Sequence, residues 1–404
     1  MPEVLAAGAA ESEAPILPAE YPRIAILMNV IAPYQKPVLD RLSQRYPGMR
    51  VFLSTPMESN RPWKLEWEGL NVVVQKTVTL NRQWNHPKGF TEPLYVHLPV
   101  DTVTQLNRFH PDIVISWEMG MRTMLAAVYR ALRPGSKLIV WAEFAESTEH
   151  GRGASRQMLR KVFHHCVDAF LVTGESGARY LSSLGVVSRK IFKIAYTTDI
   201  SRFAALPIAR TTETAWRLLY VGQLIERKGL TQFLDVLSRW ASLYPDRAIE
   251  LVLAGDGPLR GCLRACAVPP NVTLSFLGNI SYQNLPEVYS RADVFVFPTL
   301  ADTWGVVVNE ALAGGVPVLG SLYGQAVSEL VKDGKNGWTF RPDVSDEMFD
   351  ALNRALCTPP AELEKMRECA RTTALRLTPD YVASLIDRAI NACTITRQKP
   401  TAAL

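Results

Sequence analysis

Two carboxylates eight positions apart stand out in the second half of the chain: Asp302 and Glu310, within ADVFVFPTLADTWGVVVNEALAGGVPVLGS (292–321). A buried strand is predicted to end before them, and a loop then presents Asp302 ahead of a helix that carries Glu310. Gly305 lets the backbone approach a ligand closely, and the free N–H groups of the helix start point at that ligand. Both carboxylates suit hydrogen bonds to hydroxyls, although structural pairing is the commoner role of a carboxylate in an α/β cleft.

A basic strand-to-helix turn precedes this stretch, in LYVGQLIERKG (219–229). Gly222 provides the turn, and Arg227 and Lys228 come just before the predicted helix. Backbone N–H groups and side-chain cations that converge in this way suit a diphosphate. The same two cations are also typical of a solvated surface loop.

A third glycine-containing turn, LVLAGDGPLRG (251–261), argues against a dinucleotide site. Gly255, Gly257 and Gly261 do not fit G-x-G-x-x-G, and no carboxylate about 20 residues further on ends a following strand. An oxidoreductase is therefore disfavoured. The sequence has no Asp-x-Asp motif and no Cys or His spacing typical of zinc, so we expect neither a metal nor another cofactor.

Apolar, β-branched runs alternate with helical patterns along most of the 404 residues, which is typical of doubly wound α/β domains. The strands predicted in the first half are 24–28, 50–53, 112–116, 137–141 and 169–173. Those predicted in the second half are 217–221, 249–254, 272–276, 294–297 and 316–319. The two sets predict two Rossmann-like domains, residues 21–205 and 215–377, with ligands at the carboxyl ends of the strands.

Three further segments complete the predicted organisation. Residues 1–20 lack the basic start and the continuous apolar block of a secretory signal, and we interpret them as a disordered leader. The polar, threonine-rich residues 206–214 are predicted to link the domains. Residues 378–404 are predicted to contain a helix, able to return to the first domain, and then a tail.

The composition is that of a globular protein. It is 48% hydrophobic and 21% charged with a formal net charge of +5, a mild basic excess that lacks the concentrated stripe of a nucleic-acid-binding protein. No apolar run approaches the roughly 18–20 residues of a membrane span. The six scattered cysteines are interpreted as buried free thiols, and we expect a cytoplasmic protein that binds no nucleic acid.

Residues 217–345 resemble the nucleotide-sugar domain of the family-four retaining glycosyltransferases. Asp302 and Glu310 match that family's E-x7-E signature, within the context VFPT, WG and NEALAGG-PV. In the first half, NVIAPYQKPVLDRL (29–42) and the run 175–192 resemble the acceptor-side domain, so the resemblance covers about residues 21–395. It implies the GT-B fold, in which two Rossmann-like domains face a central cleft.

The resemblance implies a donor site in the second domain. Lys228 and Arg227 would bind the donor diphosphate, and Glu310 would bind the ribose hydroxyls. Asp302 would hold the donor sugar together with the backbone N–H groups of residues 304–306. The other donor-side positions that the match implies, beginning with the turn that would touch the base, are Asn279, Ile280, Gly222, Gln223, Thr303, Trp304, Gly305 and Val306.

The sequence departs from the family pattern in both halves. Gln223 stands where the family often has Arg, so Arg227 would replace that cation. Asp302 is one methylene shorter than the usual Glu, which leaves the identity of the sugar open. The weaker match in the first half implies three acceptor-side positions: Tyr34, Gln35 and Glu143.

The implied function is a metal-independent, retaining transfer of a sugar from a UDP- or GDP-linked donor to a glycan or lipid-linked acceptor, in polysaccharide or glycoconjugate biosynthesis. Asp302, Glu310 and Lys228 would be the catalytic residues. A non-catalytic nucleotide-sugar-binding subunit and a GT-B nucleotide-sugar epimerase are the alternatives. Release of nucleoside diphosphate in the presence of an acceptor separates a transferase from a binding subunit.

A basic stripe in the first half has two interpretations. Four basic side chains recur every four residues: Arg152, Arg156, Arg160 and His164. Four apolar side chains would form a neighbouring helical face: Leu159, Val162, Phe163 and Cys166. The ordinary interpretation is a solvated basic face. The alternative is a peripheral contact of these arginines and Lys161 with anionic lipid, or with a diphosphate-linked lipid acceptor, at the inner membrane surface.

Overall fold

The computed structural model describes residues 21–58, 67–87, 89–149, 151–208 and 215–395. The predicted leader (1–20), residues 209–214 of the predicted linker and the tail after residue 395 lie outside the described residues. The described residues form two α/β domains, each built on one parallel sheet.

The first domain has a seven-stranded sheet and a separate hairpin. Its strands are β1 (Ile24–Met28), β2 (Arg50–Leu53), β3 (Val72–Val74), β4 (Thr77–Asn85), β5 (Thr91–Pro99), β6 (Ile113–Trp117), β7 (Lys137–Ala142), β8 (Ala169–Thr173) and β9 (Ile191–Ile194). Its helices are α1 (Lys36–Arg45), α2 (Thr102–Phe109), α3 (Met121–Leu132), α4 (Glu146–Glu149), α5 (Ala154–Phe163), α6 (Gly174–Ser183) and α7 (Ile200–Ala204). The sheet order is β3-β2-β1-β6-β7-β8-β9, and β4 pairs with β5 alone.

The second domain has a six-stranded sheet. Its strands are β10 (Trp216–Val221), β11 (Ile249–Ala254), β12 (Val272–Gly278), β13 (Val294–Phe297), β14 (Val318–Ser321) and β15 (Gly337–Phe340). Its helices are α8 (Leu230–Leu243), α9 (Arg260–Ala265), α10 (Leu285–Ser290), α11 (Val306–Ala313), α12 (Gln325–Leu330), α13 (Ser345–Leu356), α14 (Pro360–Ala374) and α15 (Pro379–Ile395). The order β12-β11-β10-β13-β14-β15 reverses between β10 and β13, and ligands of such sheets bind outside the carboxyl ends of strands at this switch point.

The predicted fold class, two doubly wound α/β domains, is confirmed. Strands such as β1 and β13 are buried at every position, because helices cover both faces of a parallel sheet and select continuous apolar runs. Each predicted strand overlaps an observed one, with end shifts of at most two residues. Five strands were not predicted: β3, β4, β5, β9 and β15.

The last helix returns to the first domain. α15 packs against α1 and β9. Asp387 accepts a hydrogen bond from Tyr46 Oη at 3.0 Å and pairs with Arg45, and Asp380 pairs with Arg41 at 2.9 Å. The chain therefore crosses between the domains twice, which ties the two walls of the cleft together.

Candidate active site

A carboxylate and two cations meet at the switch point of the second sheet. Lys228 Nζ lies 2.5 Å from Oδ2 of Asp302, and Arg227 Nη1 lies 3.3 Å from the same oxygen. Arg227 also donates to the carbonyl oxygen of Ala301 at 2.9 Å. The structure therefore brings together three side chains that the sequence placed in two separate motifs.

Close backbone packing fixes the turn that carries the cations. Gly229 follows Lys228 with φ +67°, and a Cβ at Gly229 would lie 2.1 Å from the carbonyl oxygen of Pro298. The amide of Leu300 donates to the carbonyl oxygen of Arg227 at 2.8 Å. Only glycine allows this approach, so the turn after β10 is held against the loop after β13.

Asp302 is ionised at neutral pH. Burial by itself would raise the pKa of this carboxyl, but the charges of Lys228 and Arg227 lower it to about 2, helped by the hydrogen bond from Lys228 and by the Trp304 amide. The site thus holds one net positive charge in the three side chains Asp302, Lys228 and Arg227, which suits an anionic ligand.

The start of α11 completes this side of the site. Gly305 precedes the helix with φ +95°, and a Cβ there would lie 2.5 Å from a ring carbon of Phe297. The first N–H groups of a helix have no partner inside it and carry positive dipole character. Trp304 is buried, and its Nε1 donates to Asn309 Oδ1 at 2.8 Å, which anchors the loop to the helix.

Glu310 lies deeper, on the same helix. Its side chain is buried and its Oε2 accepts a hydrogen bond from Tyr289 Oη at 2.9 Å. Burial raises the pKa of Glu310 to about 8, although the Tyr289 hydrogen bond lowers it somewhat. At pH 7 Glu310 is therefore mostly protonated while Asp302 is charged, and such a separation between two carboxyls is typical of functional sites.

The remaining predicted donor-side residues lie along the carboxyl edge of the second sheet. Gly222 directly follows β10 with φ +147°, and a Cβ at the adjacent Gly255 would lie 1.9 Å from the carbonyl oxygen of Gly222. The carbonyl oxygen of Gln223 accepts a hydrogen bond from Tyr220 Oη at 2.7 Å. Asn279 and Ile280 follow β12, and Thr303 and Val306 flank Gly305 and Trp304 in the loop before α11 and at its start.

The three predicted acceptor-side residues lie in the first domain. The Tyr34 ring meets the Tyr196 ring edge-on at 5.8 Å, and Tyr196 lies 6.3 Å from the ring of Trp304 in the second domain. Gln35 Oε1 accepts from the Ala32 amide at 2.8 Å just before α1. Glu143 follows β7, and its Oε1 accepts from Trp117 Nε1 at 2.7 Å.

Gln325 is a bridging residue that the sequence did not indicate. It is buried, and its Nε2 donates to the carbonyl oxygen of Phe144 in the first domain at 2.9 Å and to that of Thr303 at 2.7 Å. Asn309 forms a second bridge, because its Nδ2 donates to the carbonyl oxygen of Tyr196 at 2.9 Å. Both amides tie the loop before α11 to the opposite wall of the cleft.

The β4–β5 hairpin also reaches the predicted donor-side residues. Phe90, in its turn, is buried in a cluster with Leu300 and Ala301 of the second domain. The amide of Thr91 donates to Glu226 Oε2 at 3.4 Å. The tip of the hairpin therefore packs on both loops that hold the Lys228–Asp302 pair.

Residues 215–358 match the family model described as Glycosyl transferases group 1. These residues, about a third of the chain, are similar to that family over most of the second domain. Among curated relatives, an uncharacterized glycosyltransferase of Methanocaldococcus jannaschii is 30% identical over 34% of this chain, and the sulfoquinovosyl transferase of Arabidopsis thaliana is 24% identical over 63% of it. The matches cover only 35% and 52% of those two relatives.

Solved structures show the same fold for both domains. HepE of Anabaena, solved in complex with UDP, has a TM-score of 0.69 at 17% identity, and the match covers 92% of this chain and 100% of HepE. A sucrose-phosphate synthase of Thermosynechococcus elongatus has a TM-score of 0.66 at 17% identity, with 93% and 100% coverage. The chain has the GT-B glycosyltransferase fold, and the residues that match the group 1 family model, 215–358, lie in its second domain.

The predicted solvated stripe in the first domain is wrong for two of its four members, Arg160 and His164. Arg160 is buried, and its Nη1 contacts Glu149 Oε2 at 2.5 Å and Tyr180 Oη at 2.7 Å. Arg152 and Arg156 also turn towards Glu149, and the fourth member, His164, is buried. The reason is the buried carboxylate of Glu149 on α4, which pairs with these guanidinium groups and turns them inwards.

Three other expectations bear on the class of protein. The cysteines are mostly not buried: Cys393 is the one buried thiol within the described ranges, so that interpretation is wrong for the rest. No cluster of three or more metal-ligating side chains occurs within the part of the chain that the structure describes. None of the described helices has the length and apolarity needed to cross a membrane.

Proposed function

We propose that this chain is a retaining, metal-independent glycosyltransferase that moves a sugar from a UDP- or GDP-linked donor to a hydroxyl of a glycan or lipid-linked acceptor, in polysaccharide or glycoconjugate biosynthesis. The observation that carries the proposal is the meeting of Lys228, Arg227 and Asp302 beside the start of α11. The match of residues 215–358 to the group 1 family model supports it. So do the structures of HepE with UDP and with UDP-glucose.

The donor diphosphate fits the cationic side of this cluster. In the absence of a ligand the charge of Lys228 is balanced by Asp302, and a diphosphate would take over part of that pairing. The free amides at the start of α11 would add hydrogen bonds to the phosphate or sugar. Asp302, released from Lys228, would then accept hydrogen bonds from sugar hydroxyls, and Glu310 would accept those of the ribose.

The reaction exchanges one bond to the anomeric carbon for another. The acceptor oxygen bonds to that carbon on the face that the diphosphate leaves, and the pair of electrons of the broken bond departs with the diphosphate. The proton of the acceptor hydroxyl passes to the departing phosphate oxygen. Lys228, Arg227 and the helix start stabilise the growing negative charge, which is the role that a metal ion has in other transferases.

Ligand-induced stabilisation tests the donor site. A nucleoside diphosphate at about 100 times its Kd stabilises a protein by about 2.7 kcal/mol, so UDP or GDP should raise the Tm of the wild type and much less that of Lys228→Gln. A chelator should leave the shift unchanged. Absence of a shift with every nucleoside diphosphate at millimolar concentration contradicts the donor assignment, and a strict requirement for a divalent ion contradicts the metal-free claim.

Turnover separates the transferase from a non-catalytic binding subunit. A transferase releases nucleoside diphosphate from the intact donor faster when a suitable acceptor is present. A protein that binds the donor with the expected Tm shift, but releases no diphosphate with any acceptor in a broad glycan and glycolipid panel, is a binding subunit.

A peripheral membrane contact is proposed in revised form. The exposed side of α5 includes three apolar side chains that are each at least half exposed, Met158, Leu159 and Val162, and Lys161 beside them is also exposed. Apolar side chains flanked by a cation suit the interface of an anionic bilayer. Met158→Ser combined with Val162→Ser should weaken co-sedimentation with phosphatidylglycerol vesicles, and equal binding by variant and wild type contradicts the contact.

A further inference from the structure

The three arginines that turn inwards form an unusual cluster in the first domain. Arg160 Nη1 lies 2.5 Å from Glu149 Oε2, Arg156 Nε lies 4.0 Å from that oxygen, and Arg152 Nε lies 3.9 Å from Glu149 Oε1. Glu149 is 6% exposed at its side chain, whereas Arg152 and Arg156 are 22% and 40% exposed. Three guanidinium groups share Glu149, and Glu118 is a second carboxylate whose charge acts on Arg156, so the cluster keeps a net positive charge.

Two N–H donor groups of the cluster, both on Arg160, have no hydrogen-bond partner within the described residues. Nε and Nη2 of Arg160 are buried and have no hydrogen-bond partner there, and the guanidinium instead lies 4.3 Å from the Phe144 ring centre. Partial burial lowers the pKa of the Arg156 guanidinium, the charges of Arg160 and Arg152 lower it further, and the charges of Glu149 and Glu118 act in the opposite direction. Like charges held this close cost free energy unless a counter-charge is bound.

The cluster follows β7 in the first domain and contacts the β4–β5 hairpin, whose turn packs on the second domain. α4, which carries Glu149, directly follows the carboxyl end of β7, and Arg152 stacks on Trp84 of the hairpin at 4.2 Å. His86, in the same hairpin, contacts the carbonyl oxygen of Ser147 at 3.4 Å and stacks on Phe90 at 4.3 Å. Because Phe90 packs against the donor loop, one continuous row of contacts joins the arginine cluster to that loop.

We propose that Arg152 and Arg156, backed by the Arg160–Glu149 pair, bind a phosphate group carried by the acceptor. This inference rests on the proposed function, since it names the chemical class of the acceptor. A phosphate ester carries about −1.5 to −2 charges at pH 7 and three acceptor oxygens, so it offers a net-positive arginine cluster more charge and more acceptors than a single carboxylate does. Forked guanidinium donors are well suited to phosphate oxygens.

Binding of inorganic phosphate tests the site without any transfer reaction. The donor site also attracts phosphate, so the full-length chain is compared in a Lys228→Gln background. Adding Arg152→Gln and Arg156→Gln should weaken phosphate binding on the order of tenfold for each arginine. The matched control is Arg239→Gln, which removes an exposed arginine paired with Asp346 far from the cleft and should change nothing.

The outcomes are distinct from those of the donor test. Equal phosphate affinity with and without the two arginines, in variants that still melt cooperatively, overturns the proposal even if nucleoside diphosphates bind. Arg156→Gln alone guards against misfolding, because its contact with Glu149 is as long as 4.0 Å, and it should already weaken phosphate binding. If the two arginine substitutions abolish phosphate binding but the wild type binds no nucleoside diphosphate, the phosphate site stands and the transferase assignment is rejected.

Two probes separate the sources of the phosphate. Glycerol 3-phosphate stands for a free phosphorylated acceptor, and vesicles of phosphatidylcholine with phosphatidic acid stand for a lipid-linked one. In a Met158→Ser, Val162→Ser background, which removes the proposed apolar contact of α5, tighter binding to the vesicles assigns a lipid-linked phosphate, and tighter binding to glycerol 3-phosphate assigns a free one. At least one of the two probes must bind the Arg152→Gln, Arg156→Gln variant more weakly than the parent protein. Unchanged affinity for both probes contradicts the proposed phosphate site.

Discussion

Nucleotide binding should drive a proton off Glu310. In the free protein burial raises the pKa of Glu310 to about 8, so roughly nine-tenths of these side chains are protonated at pH 7. Ribose hydroxyls that donate to a carboxylate favour its charged form. If binding returns the pKa to its ordinary value, roughly 0.9 proton is released for each nucleotide bound at pH 7.

The linkage sets the size of the pH effect. While Glu310 is protonated in the free protein and ionised in the complex, nucleotide affinity rises about tenfold for each pH unit, or about 1.4 kcal/mol, and levels off above pH 8. The same raised pKa acts against folding of the free protein. The unfolded chain loses this proton near its ordinary pKa of 4.5, so the stability of the free protein should fall as pH rises from about 4.5 to about 8.

Titration calorimetry in buffers of different ionisation enthalpy measures the released proton. The observed binding enthalpy should vary with buffer for the wild type, and this dependence should shrink by roughly 0.9 proton in Glu310→Gln. The phosphate ionisation of the nucleotide is common to both proteins and cancels in the comparison. An identical buffer dependence in wild type and variant would refute the assignment of Glu310 as a carboxylate that receives the ribose.

Three further outcomes follow from the site and its supports. Asp302→Asn should leave the affinity for the bare nucleoside diphosphate unchanged or tighter, because Lys228 loses its anionic partner, and it should lower the affinity for the intact donor. Calorimetry with both ligands measures the two affinities, and equal weakening of both contradicts the prediction. Phe90→Ala should lower kcat/KM by about tenfold, because the hairpin tip packs on the loop of the donor site, and unchanged steady-state kinetics would show that this contact is only structural. Gly305→Ala should lower the free energy of unfolding by about 1–3 kcal/mol, because φ is +95° and the new Cβ would lie 2.5 Å from a ring carbon of Phe297. Urea unfolding measures this change, and an unchanged midpoint contradicts the predicted backbone strain.

The fold could be predicted because buried parallel strands are encoded locally. Continuous apolar runs such as 24–28 and 294–297 indicate buried strands without any knowledge of the neighbouring strands. The hairpin strand 77–85 is mostly exposed and carries no such run, so it did not resemble a core strand. Its contact with residues 300–301 depends on how the two domains face each other, which no local pattern specifies.

The site was predictable in its parts and not in its arrangement. The glycine-rich context identified Asp302 and Glu310, but the 2.5 Å contact between Asp302 and Lys228 depends on β10 and β13 being neighbours in the sheet. The pKa of Glu310 depends on burial beside Tyr289, which lies 21 positions earlier. Helical spacing likewise placed Arg156 and Arg160 on one side of a helix. It could not show that the buried Glu149 turns Arg160 inwards.

The most direct test of the central claim is release of nucleoside diphosphate from an intact donor. A panel of UDP- and GDP-sugars is incubated with the wild type and with Lys228→Gln, with and without glycan and phosphorylated lipid acceptors. We predict that one donor gives acceptor-dependent release of its diphosphate by the wild type, with a chelator present, and that Lys228→Gln slows it at least tenfold. Release at equal rates by both proteins, or release that depends on an added divalent ion, contradicts the account.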